Sequence, residues 1–309
     1  MRTILGTLCL MSALAAPGTL RAAEDDLAAA RAKVIAPFLD EETILVVRVD
    51  ASRLSVDPIL AMAADWFPQA KGDIQKAAAP AREALAAFTR AGGREFYLVV
   101  SLADISLMTP HRLSPLVLVP LAPGADEKAV AAAIGPIGCE VHQRIGDVLF
   151  AGSRSALERI KQGRPDVQPE LARAFAAAGD RAGQILLLPP SYSRRVIEEM
   201  MPELPKAVVG GPSTVLTHGL LWAAIGIDPP PRASLRLVIQ SRDHEAAVAL
   251  RAKWNVLWEL LRQDTEVRRV MPKIDDLSKQ LIPTIEGDRL LLDPAEVQRS
   301  PPRRAEAPR

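Results

Sequence analysis

Apolar residues gather in short unbroken runs bounded by Gly, Pro, Asp or Arg, and these runs predict strands at Thr43–Asp50, Arg94–Asp104, Pro115–Leu121 and Arg144–Phe150. A second series lies at Gln184–Leu188, His218–Asp228, Leu235–Gln240 and Ile285–Leu291. Between them the spacing turns helical. Asp57–Trp66 is followed by Asp73–Arg90, where Ile74, Ala78, Ala81, Leu85 and Phe88 share one face, Pro80 introduces a kink and Gly92-Gly93 supplies a stop. Asp126–Ala133 and Asp243–Leu250 open on acidic first turns, as the positive end of a helix dipole favours. Ser155-x-x-Glu158 has capping-box spacing for a helix to Lys161, Pro169–Ala178 forms another, and Ser191 is placed to cap a helix carrying Val196, Ile197, Met200 and Met201.

The two series match in order. Thr43–Arg53 pairs with Gln184–Arg194, Arg94–Asp104 with His218–Asp228, Pro115–Ala133 with Leu235–Leu250, and Arg144–Phe150 with Ile285–Leu291. The last pair shares Gly146-Asp147 and Gly287-Asp288, where a tight hairpin turn calls for positive φ. Each half then reads strand, helix, strand, strand, helix, strand, so the expected class is α+β, a tandem duplication of βαββαβ (ferredoxin-like) units with antiparallel sheets. The corresponding divisions are a signal peptide at 1–23, an N-terminal segment at 24–42, a first repeat at 43–163, a helical connector at 164–183, a second repeat at 184–293 and a disordered tail at 294–309.

Residues 1–23 carry the marks of export. Arg2 makes a positive start, Ile4–Ala16 is an apolar stretch too short to span a bilayer, and small residues precede Glu24-Asp25-Asp26. The expected location is periplasmic or extracellular, with no stable membrane insertion after cleavage. Cleavage also removes Cys9, leaving Cys139 without an intramolecular disulfide partner; with His142 its nearest basic neighbour, it reads as a small buried apolar residue.

Composition narrows the function further. Across 309 residues, 49% are hydrophobic and the 38 basic and 37 acidic residues give a net charge of +1, so a sizeable core is available and no general field steers the chain to nucleic acid. His244-Glu245-Ala-Ala-Val248 lacks the second histidine of a zinc-peptidase helix, and Ala151-Gly152-Ser153-Arg154 lacks the second glycine of a nucleophile elbow. Val209-Gly210-Gly211-Pro212-Ser213 is no phosphate loop, because proline removes an amide. No catalytic, cofactor or metal site can be assembled from such pieces. Asp50, Asp104 and Asp228 each close a strand and read as turn caps, while Trp254 and Trp258 lie on one helix face as core. The binding-surface candidates are Arg48 and Asp50, on one strand face as an ion pair or a cleft lining, together with Arg236.

The chain resembles a family of uncharacterised exported proteins of planctomycete bacteria. The likeness rests on the signal segment, Asp40–Asp50, Ala91–Glu95, Ala174–Asp180, Gly211–His218 and Glu286–Arg289. It implies export and no activity. The expected function is therefore a non-enzymatic binding or structural protein, acting on an unknown protein partner. A carrier of an apolar small molecule is the alternative, and an enzyme without a recognisable site the third.

Several strands are apolar on both faces: Phe96–Val100, Leu116–Val119 and Leu220–Ile227. Leaving such a face in water would forfeit several kcal/mol at about 25 cal/mol per Å². The expectation is that the two halves hide these faces against each other, with Arg48, Asp50 and Arg236 at the rim.

Overall fold

The computed structural model describes residues 17–104, 116–135, 139–163, 169–205, 209–231 and 233–293, with side chains from 22 onward. The greater part of the signal segment and all of the tail thus lie outside the described residues. The class is α+β: ten strands form one antiparallel sheet. The first five are β1 (Thr43–Asp50), β2 (Glu95–Ser101), β3 (Leu116–Pro120), β4 (Val141–Ile145) and β5 (Val148–Gly152). The other five are β6 (Gly183–Leu187), β7 (Leu220–Asp228), β8 (Ser234–Ser241), β9 (Thr284–Glu286) and β10 (Arg289–Leu292). Across the sheet the order is β4-β5-β3-β2-β1-β6-β7-β8-β10-β9. Counted outward from the centre, each half runs first, second, third, fifth, fourth.

This pairing differs from the ferredoxin-like expectation. A split βαβ unit keeps its first two strands parallel and apart, whereas β1 and β2 are antiparallel neighbours, Val46 opposite Val99 and Arg48 opposite Tyr97. The fourth strand expected in each half is instead a hairpin, β4–β5 and β9–β10. Gly146 at φ 60° and Gly287 at φ 62° make the turns that the Gly-Asp pairs foretold.

The halves also do not stack face to face. They join edge to edge, β1 pairing with β6 from Leu45 opposite Leu187 to Val49 opposite Gly183. Edge pairing satisfies main-chain donors and acceptors that stacking would leave open on both strands.

The two-faced strands are covered by the chain's own helices. On one face α1 (Pro17–Ile35), α5 (Arg154–Gln162) and α6 (Pro169–Ala178) lie over Val46, Tyr97, Leu118, Phe150, Leu186 and Ala224, with Phe175 edge-on to Tyr97 at 6.3 Å. On the other, α3 (Lys71–Arg90) and α4 (Glu127–Ile134) bury Val117, Val119, Leu149 and Ala151, and α9 (His244–Gln263) buries Leu290. A row of apolar residues crosses eight strands of this second face: Ala151, Val117, Leu98, Val47, Ile185, Ile225, Leu237 and Leu292. Its ends are buried and its middle, Leu98, Val47, Ile185 and Ile225, is half-buried. At the end of α2 (Val56–Trp66) the chain meets the region of α10 (Thr265–Val270) and α11 (Ile274–Gln280), where Lys273 Nζ meets Asp65 at 2.5 Å and Gln69 Nε2 donates to the Arg269 carbonyl at 2.7 Å.

Local caps follow short-range chemistry. Asp126 and Asp243 accept the amides of Ala129 and Ala246, holding the starts of α4 and α9. The α5 cap is Ser153, accepting from Ala156 N at 3.1 Å, rather than the box at Ser155. The N-cap of α7 (Ser191–Met200) is Pro190, and Ser191 is already the first helical residue. Trp254 and Trp258 touch edge-on at 6.1 Å, and Trp254 Nε1 donates to the Leu281 carbonyl at 2.7 Å.

Candidate functional site

Arg48 belongs to the interior, and Asp50 is half-buried beside it at the end of β1. Arg48 is 2% exposed, and its Nε donates to Glu95 Oε2 at 2.7 Å, its Nη1 to the Arg181 carbonyl at 3.1 Å and to Gln184 Oε1 at 3.3 Å. Asp50 Oδ2 lies 3.4 Å from its Nη2, while Asp50 Oδ1 accepts from Ser52 N and so caps the turn after β1. Arg31 of α1 reaches the same centre, donating to Asp180 Oδ1 at 2.7 Å and Gln184 Oε1 at 3.4 Å. Tyr97 donates its hydroxyl to Glu95 Oε1 at 2.9 Å, and burial first, then the Glu95 charge, pushes its pKa up. The arginines and Gln184 of this centre all meet partners, so it ties α1, β1, β2 and β6 together, with the Asp180 and Glu95 carboxylates at its edge toward solvent. Cys139 is half-buried against Val130 and its neighbours, and burial pushes its thiol up, away from nucleophilic character.

Arg236 stands on the same cross-strand row. Arg48 faces Gln184, Gln184 faces Gly226 and Gly226 faces Arg236, which carries the row out to β8. A side chain at 226 is impossible without movement: its Cβ would fall 2.0 Å from the Ala178 carbonyl oxygen, where the end of α6 comes down on the sheet. Arg236 therefore has no side chain beside it on β7 and lies at the foot of a groove.

The groove opens between α1, α6 and the outer strands β8, β9 and β10, with a volume of about 970 Å³, within the range of small-ligand clefts. Its floor is apolar, from Ala176 and Ala177 of α6 to Val238 and Leu291 of the sheet. Glu24, Asp25, Glu286 and Asp288 stand around it with Arg173, Arg236 and Arg289. The corresponding face over β3 and β5 is closed in the first half, because α5 lays Ala156 and Leu157 upon it. Two of the three arginines are otherwise uncommitted. Arg289 donates to Gln240 Oε1 at 2.6 Å and sits 5.9 Å from the Trp222 ring centroid, whereas Arg173 and Arg236 make no hydrogen bond or ion pair with any described residue.

No protein-family model, curated protein or solved structure matches the chain. The site is therefore read from its own residues.

Of the sequence candidates, Arg236 lines the groove, Arg48 is buried against Gln184, and Asp50 sits half-buried at the turn after β1. Arg173 went unnoticed in the sequence because an arginine on an amphipathic helix carries no mark of what it faces. The signal was the polar pair Arg173 and Arg236 set among Ala172, Ala176, Ala177 and Val238, which only the packing of α6 on β8 brings together.

Proposed function

We propose that the chain is exported, loses residues 1–23, and acts without catalysis as a binding protein for a partner protein, through the groove between α6 and β8. One observation carries this reading: two halves of equal strand order differ in that one outer face is sealed by α5 and the other is a groove holding two uncommitted guanidinium groups. The equal strand order and the four ordered sequence matches support a tandem duplication of one five-stranded unit, with the groove as the place where the copies diverged. The positively charged and apolar start of the chain supports export, and the likeness to exported planctomycete proteins agrees with it.

The test is co-purification from the exported fraction of the native host, comparing the wild type with R173E/R236E. A partner retained by the wild type and lost from a folded double variant supports the reading. An unchanged set of companions overturns it.

A carrier of an apolar small molecule is the second reading, favoured by the half-buried middle of the apolar row at Val47, Leu98, Ile185 and Ile225. Native mass spectrometry showing bound lipid that Ile185→Asn releases selects it over the first.

A further inference from the structure

We propose that the groove is occupied by the chain's own residues 294–309 until a partner displaces them. The regulatory sense of this contact rests on the groove being the partner site; the contact itself does not. The groove leaves groups of both signs unmatched. Among the described residues, Glu24, Asp25 and Glu286 make no hydrogen bond or ion pair, and neither do Arg173 and Arg236. The other two charges are committed, Asp288 to Gln240 Nε2 at 2.8 Å and Arg289 to Gln240 Oε1 at 2.6 Å. An occupant that answers this pattern carries more cations than anions, with small apolar residues among them for a floor of Ala176, Ala177, Val238 and Leu291.

Residues 294–309, which lie outside the described residues, have that composition. Arg299, Arg303, Arg304 and Arg309 supply cations, Glu296 and Glu306 anions, and Ala295, Val297, Ala305 and Ala307 apolar contacts. They also start in the right place. β10 lines the groove through Arg289 and Leu291 and ends with Leu292 opposite Leu237, one residue from Arg236 on β8. Beyond Asp293, Glu296 comes within about 10 Å of chain and Arg299 within about 20 Å, at ~3.1 Å per residue of a proline-rich segment. An anion therefore follows close on Arg236, and the cations reach on toward the acidic rim. Pro294, Pro301, Pro302 and Pro308 favour a polyproline-type chain whose backbone stays solvated, so the contact needs no strand edge. Single exposed ion pairs are weak, and the tether compensates by keeping the segment at the groove.

The experiment compares the mature chain with one stopped after Asp293, checked for an equal thermal midpoint, by fluorescence anisotropy of a fluorescein-labelled peptide of residues 294–309. The stopped chain is expected to bind the peptide about tenfold tighter than the intact chain, whose own tail, tethered at an effective concentration on the order of mM, competes for the groove. E24Q/D25Q/E286Q in the stopped chain, and separately R299E/R303E/R304E in the peptide, are each expected to weaken binding about tenfold, as loss of three exposed ion pairs does. A peptide that ignores the stopped chain, equal affinity for both chains, or indifference to either charge change overturns the proposal. So does exclusion by the intact chain that fades on dilution as a dimer dissociates, because the tail would then belong in a second copy. Peptide binding as expected, together with co-purified companions unchanged by R173E/R236E, would retain the tail contact and reject the partner reading alone.

Discussion

Arg48 and Gln184 meet across the seam between the two halves, Nη1 to Oε1 at 3.3 Å, with exposures of 2% and 0%. Gln184 spends its amide nitrogen on the carbonyls of Gly179 and Phe175, at 2.7 and 3.3 Å, so its oxygen is left for the two arginines. Replacing Arg48 by methionine keeps an apolar stem and strands Glu95 beside Tyr97 without its cation. Breaking one partner of a buried pair costs about 3 to 5 kcal/mol, and Glu95, still 24% exposed, places the loss near about 3. Urea unfolding of Arg48→Met measures it, and a loss below about 1 kcal/mol would show the seam to be held by backbone pairing alone.

Gly226 is the second point where the seam depends on one atom. With the Ala178 oxygen 2.0 Å from any Cβ, Gly226→Ala must lift the end of α6 or bend β7. We expect it to destabilise by about 2 kcal/mol or more. Gly124→Ala is the control: nothing lies within 4 Å of its Cβ, and only its φ of 83° resists, at a cost of about 1 kcal/mol. Thermal unfolding of the two variants should separate them by several degrees in that order.

These residues also mark the limit of what the sequence reveals. Thr43–Asp50 and Pro169–Ala178 are found with the ends that hydrophobic runs and proline suggest, and the Gly146 and Gly287 turns follow from local chemistry. The seam could not be found that way. Edge pairing of β1 with β6 is made by main-chain groups, which every residue possesses, and Arg48 is buried by Gln184, 136 positions along the chain. An arginine on a strand ending in aspartate looks like a surface residue until its distant partners are known. Of the groove, the sequence offers Arg236 as a binding-surface candidate at a rim between the halves and gives no sign of Arg173.

Acid stability should report on Asp228. Burial pushes its carboxyl up, but the hydrogen bonds from Arg181, the Ala182 amide and Ser234, with the Arg181 charge, hold it below the usual carboxylate range. A folded pKa below the unfolded value of about 3.9 contributes stability above that value and loses it as pH falls through the folded one. Asp228→Asn should therefore be less stable than the wild type at pH 7, and the gap should narrow toward pH 3. A gap constant between pH 7 and pH 3 in urea midpoints would contradict the assignment.

The last expectation concerns the start of the mature chain. α1 runs without interruption from Pro17 to Ile35, so removal of residues 1–23 cuts inside a helix. That cut does not leave a poor end. Glu24, Asp25 and Asp26 become the first turn, where each acid interacts favourably with the helix dipole by about 0.3 to 1 kcal/mol, and the contacts that hold α1 come later, at Ala28, Arg31 and Ile35. The processed chain should keep the full helix from Glu24 onward and the Arg31 to Asp180 ion pair at 2.7 Å. Intact-mass measurement of the exported protein should give a start at Glu24 or Ala23, and hydrogen exchange should find the amides around Ile35 protected. A chain retaining Met1 in the cytoplasmic fraction contradicts export; an unprotected α1 in the processed protein would mean that the helix needs its leader to dock on α6.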